Sequence, residues 1–150
     1  MNRPLTAADQ TPPDEANAAA VARIYREWDA ALGARDIDAA MALYRPDATL
    51  ESPLVCHLLG TEEGVVRGRD QLRSFVEVVF ANQSPKRRRF RTGYLTDGAL
   101  LIWEYPRQTP DGDQQDIVEV MEIRDGLIAH HRVYWGWLGL ATLTGGTHPR

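Results

Sequence analysis

Residues 114–137 read QQDIVEVMEIRDGLIAHHRVYWGW, and this stretch determines how the sequence folds. Polar and apolar residues alternate along its first half, and its second half is rich in β-branched and aromatic residues. Both patterns are typical of β-strands. Asp125-Gly126 lies between the halves, and Asp-Gly between two strands is a strong signal for a tight turn. We therefore predict an antiparallel hairpin over this stretch.

The length of the turn decides which side chains share a face of the hairpin, because a slip of one residue moves a whole arm to the other face. A two-residue loop places Glu119 opposite Arg132. A three-residue loop over 124–126, with a bulge at its glycine, places Glu119 opposite His131. We favour the three-residue loop, which gives an apolar wall with one carboxylate and one imidazole: Ile117, Glu119, Met121, Ala129, His131, Val133 and Trp135.

Helical periodicity precedes the strand-rich half of the chain. Apolar residues at helical spacing predict helices over about 15–32 and 70–83, with a short helix between Asp36 and Tyr44. Residues 48–53 predict a short strand, and 54–67 predict a loop. Short turns then join the strands of an antiparallel meander, at about 87–95, 99–108, 114–124 and 127–137. Helices followed by such a sheet predict an α+β fold: three N-terminal helices packed on a strongly curved antiparallel sheet, with a cavity between the layers.

Composition and charge limit the classes of protein that fit. The net charge of −4 gives no reason to expect binding to nucleic acid or to an anionic membrane, and the single cysteine excludes an internal disulfide framework. No stretch is long and apolar enough to span a membrane, and the N-terminus lacks the apolar core of a signal peptide, so we expect a cytoplasmic protein. We predict one domain over 15–137, with flexible tails at 1–14 and 138–150.

Three segments of the chain resemble the nuclear transport factor 2-like superfamily, and within it the SnoaL-like group of polyketide cyclases, ketosteroid isomerases and limonene epoxide hydrolases. They are AALGARDIDAAMALYRPDATLESP (30–53), VRGRDQLRSFVEVVF (66–80) and VEVMEIRDGLIAHHRVYW (118–135). The resemblance implies a cone-shaped α+β barrel with a pocket open at one end, and it favours a position for His131 inside that pocket. The same fold hosts enzymes, binding proteins and scaffolds.

Carried over residue by residue, the resemblance implies that this chain has different residues at two of the three catalytic positions of ketosteroid isomerases. Glu119 falls where those enzymes place a protonated aspartate. Trp28 stands at the position of their tyrosine donor, and Ser52 at the position of their general-base aspartate. The epoxide hydrolases need an acid on the last strand, where this chain has Val133. The resemblance therefore argues against both activities.

Glu119 and His131 are the candidate catalytic residues. A carboxylate in an apolar pocket can act as a general acid or base, and an imidazole beside it can act as a proton shuttle. The alternatives stay open: a strand glutamate that faces solvent, and a histidine in a structural hydrogen bond. Trp103 faces Glu119 if the turn at 110–112 has three residues, whereas a two-residue turn brings in Glu104. We expect the substrate-binding residues to be Trp28, Tyr44, Ser52, His57, Trp103, Val133 and Trp135.

No metal site or cofactor is predicted. The spacing of the histidines at 57, 130 and 131 fits no zinc signature. In addition, His130 and His131 are neighbours on a strand and should point to opposite faces. The sequence contains no nucleotide-binding glycine loop and no nucleophile motif.

The sequence leads to two alternative functions. One is a cofactor-free isomerase, cyclase or lyase that acts on a small apolar substrate, cyclic or carbonyl-bearing. The other is a non-catalytic binding protein or scaffold. We also predict a homodimer through the outer sheet face, which carries Val118, Val120, His130, Arg132 and Tyr134.

Overall fold

The computed structural model describes residues 15–82, 92–104, 107–108 and 114–136. Within these ranges the chain forms four helices: α1 (Glu15–Ala34), α2 (Ile37–Ala42), α3 (Pro53–Leu59) and α4 (Gly68–Asn82). It also forms eight strands: β1 (Tyr44–Glu51), β2 (Val65–Arg67), β3 (Leu95–Thr96), β4 (Leu100–Glu104), β5 (Arg107–Gln108), β6 (Gln114–Gln115), β7 (Ile117–Arg124) and β8 (Leu127–Trp135). The predicted tails, the turn at 110–112 and most of the predicted strand 87–95 lie outside the described residues.

Six of these strands form one curved, open sheet in the order β2-β1-β8-β7-β4-β3. The run β3-β4-β7-β8 is antiparallel, which confirms the predicted meander over this part of the chain, while β1 joins β8 in parallel. β5 and β6 pair separately. The helices pack on one side of the sheet, with α1 against β4 and β7 and α4 against β1. The α+β class is thus confirmed, with an open sheet in place of a closed barrel.

The hydrophobic core lies between the helices and the sheet. The predicted apolar stripes of α1 and α4 are buried, and burial alternates along β7 as the sequence predicts. We call the buried side of the sheet the inner face and the opposite side the outer face. The helices supply much of the core: Val21, Ile24, Trp28, Ala31, Leu32, Leu72, Phe75, Val76, Val79 and Phe80. No described helix is long and apolar enough to cross a membrane.

The predicted elements are wrong in two places between residues 36 and 67. The short second helix ends at Ala42, and Tyr44 begins β1 instead, where it pairs with Ile128 of β8. The predicted loop after β1 contains α3 and β2. Ser52 accepts a hydrogen bond from the Leu54 main-chain nitrogen as the N-cap of α3, and Gly60 ends that helix with a left-handed φ of 65°.

The turn of the central hairpin has two residues, so the predicted three-residue loop is wrong. Arg124 pairs with Leu127 across Asp125-Gly126. The φ angles of 53° at Asp125 and 74° at Gly126 are those of a type I′ turn, which twists in the same sense as the strands it joins.

A bulge farther along β8 changes the register again. Ile123 pairs with Ile128, but Glu122 pairs with His130, so Ala129 is the extra residue of a β-bulge. Ala129 was predicted to lie on the inner face. Instead it borders a depression on the outer face together with Glu122 and His130.

The bulge in β8 turns the residues after it, from His131 onward, so that the predicted inner residues His131 and Val133 face the core. Met121 lies opposite His131, and Glu119 lies opposite Val133, so the predicted direct pairing of Glu119 with His131 is wrong. Both candidates are nevertheless buried on the inner face. An unbulged two-residue hairpin would have turned His131 outward, because successive side chains of a strand alternate between faces.

Candidate functional site

Glu119 of β7 and His131 of β8 meet on the inner face. Glu119 is 3% exposed and His131 is 1% exposed. The Nε2 atom of the imidazole shares a hydrogen bond with Oε2 of the carboxylate. The two residues are diagonal neighbours across the strand pair, a spacing that long side chains bridge. The structure therefore brings the two candidates together. Burying a polar group without a hydrogen-bond partner costs free energy, and this contact gives each side chain a partner.

Tyr44 extends this pair to three residues. Its side chain is fully buried, and its hydroxyl oxygen lies 2.7 Å from Nδ1 of His131. Arg69, in the first turn of α4, donates from Nη2 to the main-chain carbonyl of Tyr44. We call Tyr44, His131 and Glu119 the buried relay. The sequence marked Tyr44 only as an aromatic lining residue, so its contact with His131 was missed.

The atoms of the buried relay allow two protonation patterns. A neutral imidazole that carries its proton on Nε2 donates to the Glu119 carboxylate and accepts from the Tyr44 hydroxyl at Nδ1. An imidazolium donates from both nitrogens, and the Tyr44 oxygen then accepts. Because a hydroxyl can do either, His131 can gain a proton without losing a hydrogen bond. Such a group is suited to proton transfer.

An apolar cavity borders the buried relay. Its volume is about 30 Å³. This is large enough for a water molecule or for one small ligand group. Glu119 and His131 line this cavity together with side chains from α1, α4 and the sheet: Trp28, Leu32, Leu50, Phe75, Val76, Val79, Phe80, Val133 and Trp135.

Two tryptophans that line the cavity carry buried hydrogen-bond donors. Trp28 is 5% exposed, and its ring lies edge-on to His131, with 5.6 Å between the ring centroids. The indole Nε1 atoms of Trp28 and Trp135 are both buried, and neither has a hydrogen-bond partner among the described residues. An unsatisfied buried donor costs about 1–3 kcal/mol, so two of them in residues that line one cavity are unusual.

Four predicted substrate-binding residues do not line this cavity: Tyr44, which contacts His131 behind it, and Ser52, His57 and Trp103. Trp103 pairs with Glu119 across β4 and β7, as a three-residue turn at 110–112 would require, but its indole packs edge-on against Tyr25 at 5.7 Å. The hydroxyl of Ser52 is used as the cap of α3. His57 was placed in a loop at the pocket mouth, whereas it lies exposed on α3 because that segment is helical.

The outer face of the sheet carries a separate polar network. His130 points away from His131, as predicted, and its Nδ1 atom shares a hydrogen bond with the Thr49 hydroxyl, while its Nε2 atom lies 3.0 Å from Oε1 of Glu51. A hydrogen bond from Arg132, 2.8 Å long, holds the pKa of Glu122 below its ordinary value. Within the described ranges, no group of three potential ligands could hold a metal ion.

The comparisons with known proteins agree with this fold. The SnoaL-like domain family matches residues 25–131, and the chain belongs to this family. A search of curated protein sequences finds no match.

Solved structures from three bacteria have the same fold. A SnoaL-like protein of unknown function from Burkholderia thailandensis is 19% identical, with a TM-score of 0.64 over 84% of this chain and 99% of that one. A steroid delta-isomerase from Pseudomonas aeruginosa is 19% identical, with a TM-score of 0.65 over 89% and 90%. A nuclear transport factor 2-like protein from Anabaena variabilis is 13% identical, with a TM-score of 0.67 over 87% and 97%. At these identities the likeness establishes the fold alone.

Proposed function

We propose that this protein binds a small apolar molecule and catalyses a cofactor-free proton transfer on it, as an isomerase, cyclase or lyase. One observation carries the proposal: Glu119 and His131 of the buried relay line an apolar cavity. One of the proteins with a similar structure is a steroid delta-isomerase, which supports this class of reaction.

In this proposal Glu119 is the general base and His131 is its partner. The Glu119 carboxylate takes a proton from a substrate carbon at the cavity and returns it at another position of the same molecule. His131 holds the carboxylate through Nε2, and Tyr44 holds the imidazole through Nδ1. Ser52 is already engaged as a helix cap, which favours a mechanism that depends on Glu119.

The test uses a probe that reports a general base without requiring the natural substrate. In 5-nitrobenzisoxazole, a base removes the proton on the ring carbon next to nitrogen. The electron pair of that bond forms the nitrile, the nitrogen–oxygen bond breaks, and the oxygen leaves as a coloured phenolate. Because a positioned base contributes about 10²–10⁴-fold, we expect Glu119→Gln to lose at least about tenfold of the enzyme-dependent rate.

The matched control is Glu62→Gln, which makes the same substitution at an exposed position. We expect this variant to retain the wild-type rate. Far-UV circular dichroism confirms that both variants are folded. Equal rates for the wild type and folded Glu119→Gln would remove Glu119 from the chemistry.

A second candidate function is a non-catalytic ligand-binding protein or an interaction scaffold. The cavity volume of about 30 Å³ favours it, because ligand pockets usually measure about 300–1,000 Å³. Titration with 1-naphthol, followed by tryptophan fluorescence, separates these roles. Saturable binding without any Glu119-dependent rate would favour the binding protein, and no binding would favour the scaffold.

We further propose a homodimer formed through the outer face, in the cytoplasm. Tyr134 is 56% exposed there, and Val118 and Val120 are half-buried beside it on the neighbouring strand. An apolar surface of this kind is typical of an interface. Sedimentation equilibrium should give twice the chain mass, and Tyr134→Glu should lower it. A wild-type protein with the mass of one chain would contradict the dimer.

A further inference from the structure

We propose that a second site, on the outer face of the sheet, hydrolyses a small carboxylic ester. Thr49 is its nucleophile, His130 is its general base, and Glu51 orients that base. We call these three residues the outer triad. The proposal is independent of the proposed function, because the buried relay lies on the opposite face of the sheet.

The register of β1 beside β8 brings the outer triad together. Thr49 pairs with His130, and Glu51 lies two residues farther along β1, on the same face as Thr49. The bulge at Ala129 turns His130 outward, because the two-residue turn without a bulge would pair His130 with Met121 on the inner face. Bulges are common beside active sites, where they redirect a side chain.

The contacts of His130 orient the imidazole as a general base requires. Nε2 lies 3.0 Å from Oε1 of Glu51, and Nδ1 shares a hydrogen bond with the Thr49 hydroxyl. A carboxylate can only accept, so a neutral imidazole carries its proton on Nε2 and keeps the lone pair of Nδ1 for the hydroxyl proton. A hydroxyl bonded to a base that a third group orients is the arrangement of nucleophilic catalysis, and it recurs on unrelated folds.

A depression in the outer face gives a substrate access to the outer triad. Thr49 and His130 border it, and its volume of about 510 Å³ lies in the usual range of ligand pockets, about 300–1,000 Å³. The His130 side chain is 20% exposed, so a substrate can reach the base. Tyr134, which belongs to the proposed dimer surface, does not border this depression.

The lining of the depression indicates the class of ester. Arg45 pairs with Asp47 and Asp125, and Arg124 pairs with Glu122. Each guanidinium has five N–H donors, more than these contacts use, and its positive charge would stabilise the oxyanion of a tetrahedral intermediate. A lining of ion pairs offers little apolar surface to a long hydrocarbon chain, so the acyl group is expected to be short.

The reaction has two steps. Thr49 Oγ1 attacks the carbonyl carbon while its proton passes to Nδ1 of His130. The bond between that carbon and the leaving oxygen then breaks, the leaving alcohol takes the proton, and the acyl group stays on Thr49. A water molecule next gives a proton to His130 and attacks the acyl carbon. Thr49 Oγ1 leaves and takes the proton back, which releases the carboxylic acid.

The test is the hydrolysis of p-nitrophenyl acetate by the full chain, which releases coloured p-nitrophenolate. Valine has the branched shape of threonine without its hydroxyl. Because a positioned base contributes about 10²–10⁴-fold, we expect Thr49→Val and His130→Gln each to lose at least about tenfold of the enzyme-dependent rate. Thr49→Ser, which restores a hydroxyl, should recover most of that rate.

The matched control is Thr61→Val, the same substitution at an exposed position, and it should retain the wild-type rate. Far-UV circular dichroism confirms that the variants are folded. A second readout uses the wild-type protein: acid quenching during turnover, followed by peptide mass spectrometry, should place an acetyl group on Thr49. This readout does not depend on how well a variant folds.

Two results would overturn the proposal. One is a wild-type rate in folded Thr49→Val, with the acetyl group on another nucleophile such as Cys56 or His57. The other applies if Thr49→Val does not fold: wild-type protein quenched during turnover without an acetyl group on Thr49. Loss of the rate in Thr49→Val with recovery in Thr49→Ser would support the outer triad.

Discussion

Replacing Tyr44 by phenylalanine removes one hydroxyl from the buried relay and leaves the aromatic ring in place. The hydroxyl lies 2.7 Å from Nδ1 of His131, and both side chains are almost fully inaccessible to solvent. In either protonation pattern, Nδ1 is then left buried without its Tyr44 partner. A buried polar atom that loses its partner costs about 1–3 kcal/mol, so we expect a loss of about 2 kcal/mol in the free energy of unfolding.

The assay is urea unfolding followed by far-UV circular dichroism, with Tyr134→Phe as the control. Tyr134 is 56% exposed, so its hydroxyl has water as a partner in the folded and the unfolded state. We expect the control to change stability by less than about 0.5 kcal/mol. For a domain of this size, the loss in Tyr44→Phe corresponds to a decrease of about 4–8 °C in melting temperature. Equal stabilities for the two variants would refute the hydrogen bond between Tyr44 and His131.

Three further substitutions test the turn, the helix cap and the outer face. Gly126→Ala forces a side chain into a φ of 74° and should cost about 1–2 kcal/mol, measured by urea unfolding; an unchanged stability would contradict the type I′ turn. Ser52→Ala removes the N-cap of α3 and should cost about 1 kcal/mol without slowing the ring opening of 5-nitrobenzisoxazole; a slower reaction would give Ser52 a role in the site. Because Arg132 lowers the folded-state pKa of Glu122, the ion pair stabilises the fold above the unfolded pKa, and this contribution is lost as the pH falls through the folded pKa. The stability difference between wild type and Glu122→Gln should therefore shrink in acid, and a difference independent of pH would contradict the pair.

Local patterns in the sequence predicted the hairpin, the helical stripes and most of the inner face. They failed to predict the register of the hairpin because it depends on both the turn length and a bulge. The Asp-Gly dipeptide does specify a two-residue turn, as its positive φ angles show. The bulge at Ala129 then shifts the strand by one residue, and nothing in the residues around an alanine signals it. Burial of the inner face, which involves the whole sheet, decides such a register.

The two other misses have different causes. The start and end of α3 are visible in the sequence, since a serine cap, a proline in the first turn and a terminal glycine are recognised helix signals. The link between Tyr44 and His131 joins residues 87 positions apart, and it depends on β1 lying parallel to β8. No periodicity within either segment could have indicated that contact.

The central claim is that Glu119 and His131 act together on a molecule in the cavity. Its most direct test is the rate of 5-nitrobenzisoxazole ring opening by the wild type, Glu119→Gln, His131→Gln and the double variant. We predict that each single variant loses most of the enzyme-dependent rate and that the double variant loses no more than the slower single one, because residues that act as a unit are not additive. A wild-type rate in Glu119→Gln, or losses that multiply in the double variant, would contradict the claim.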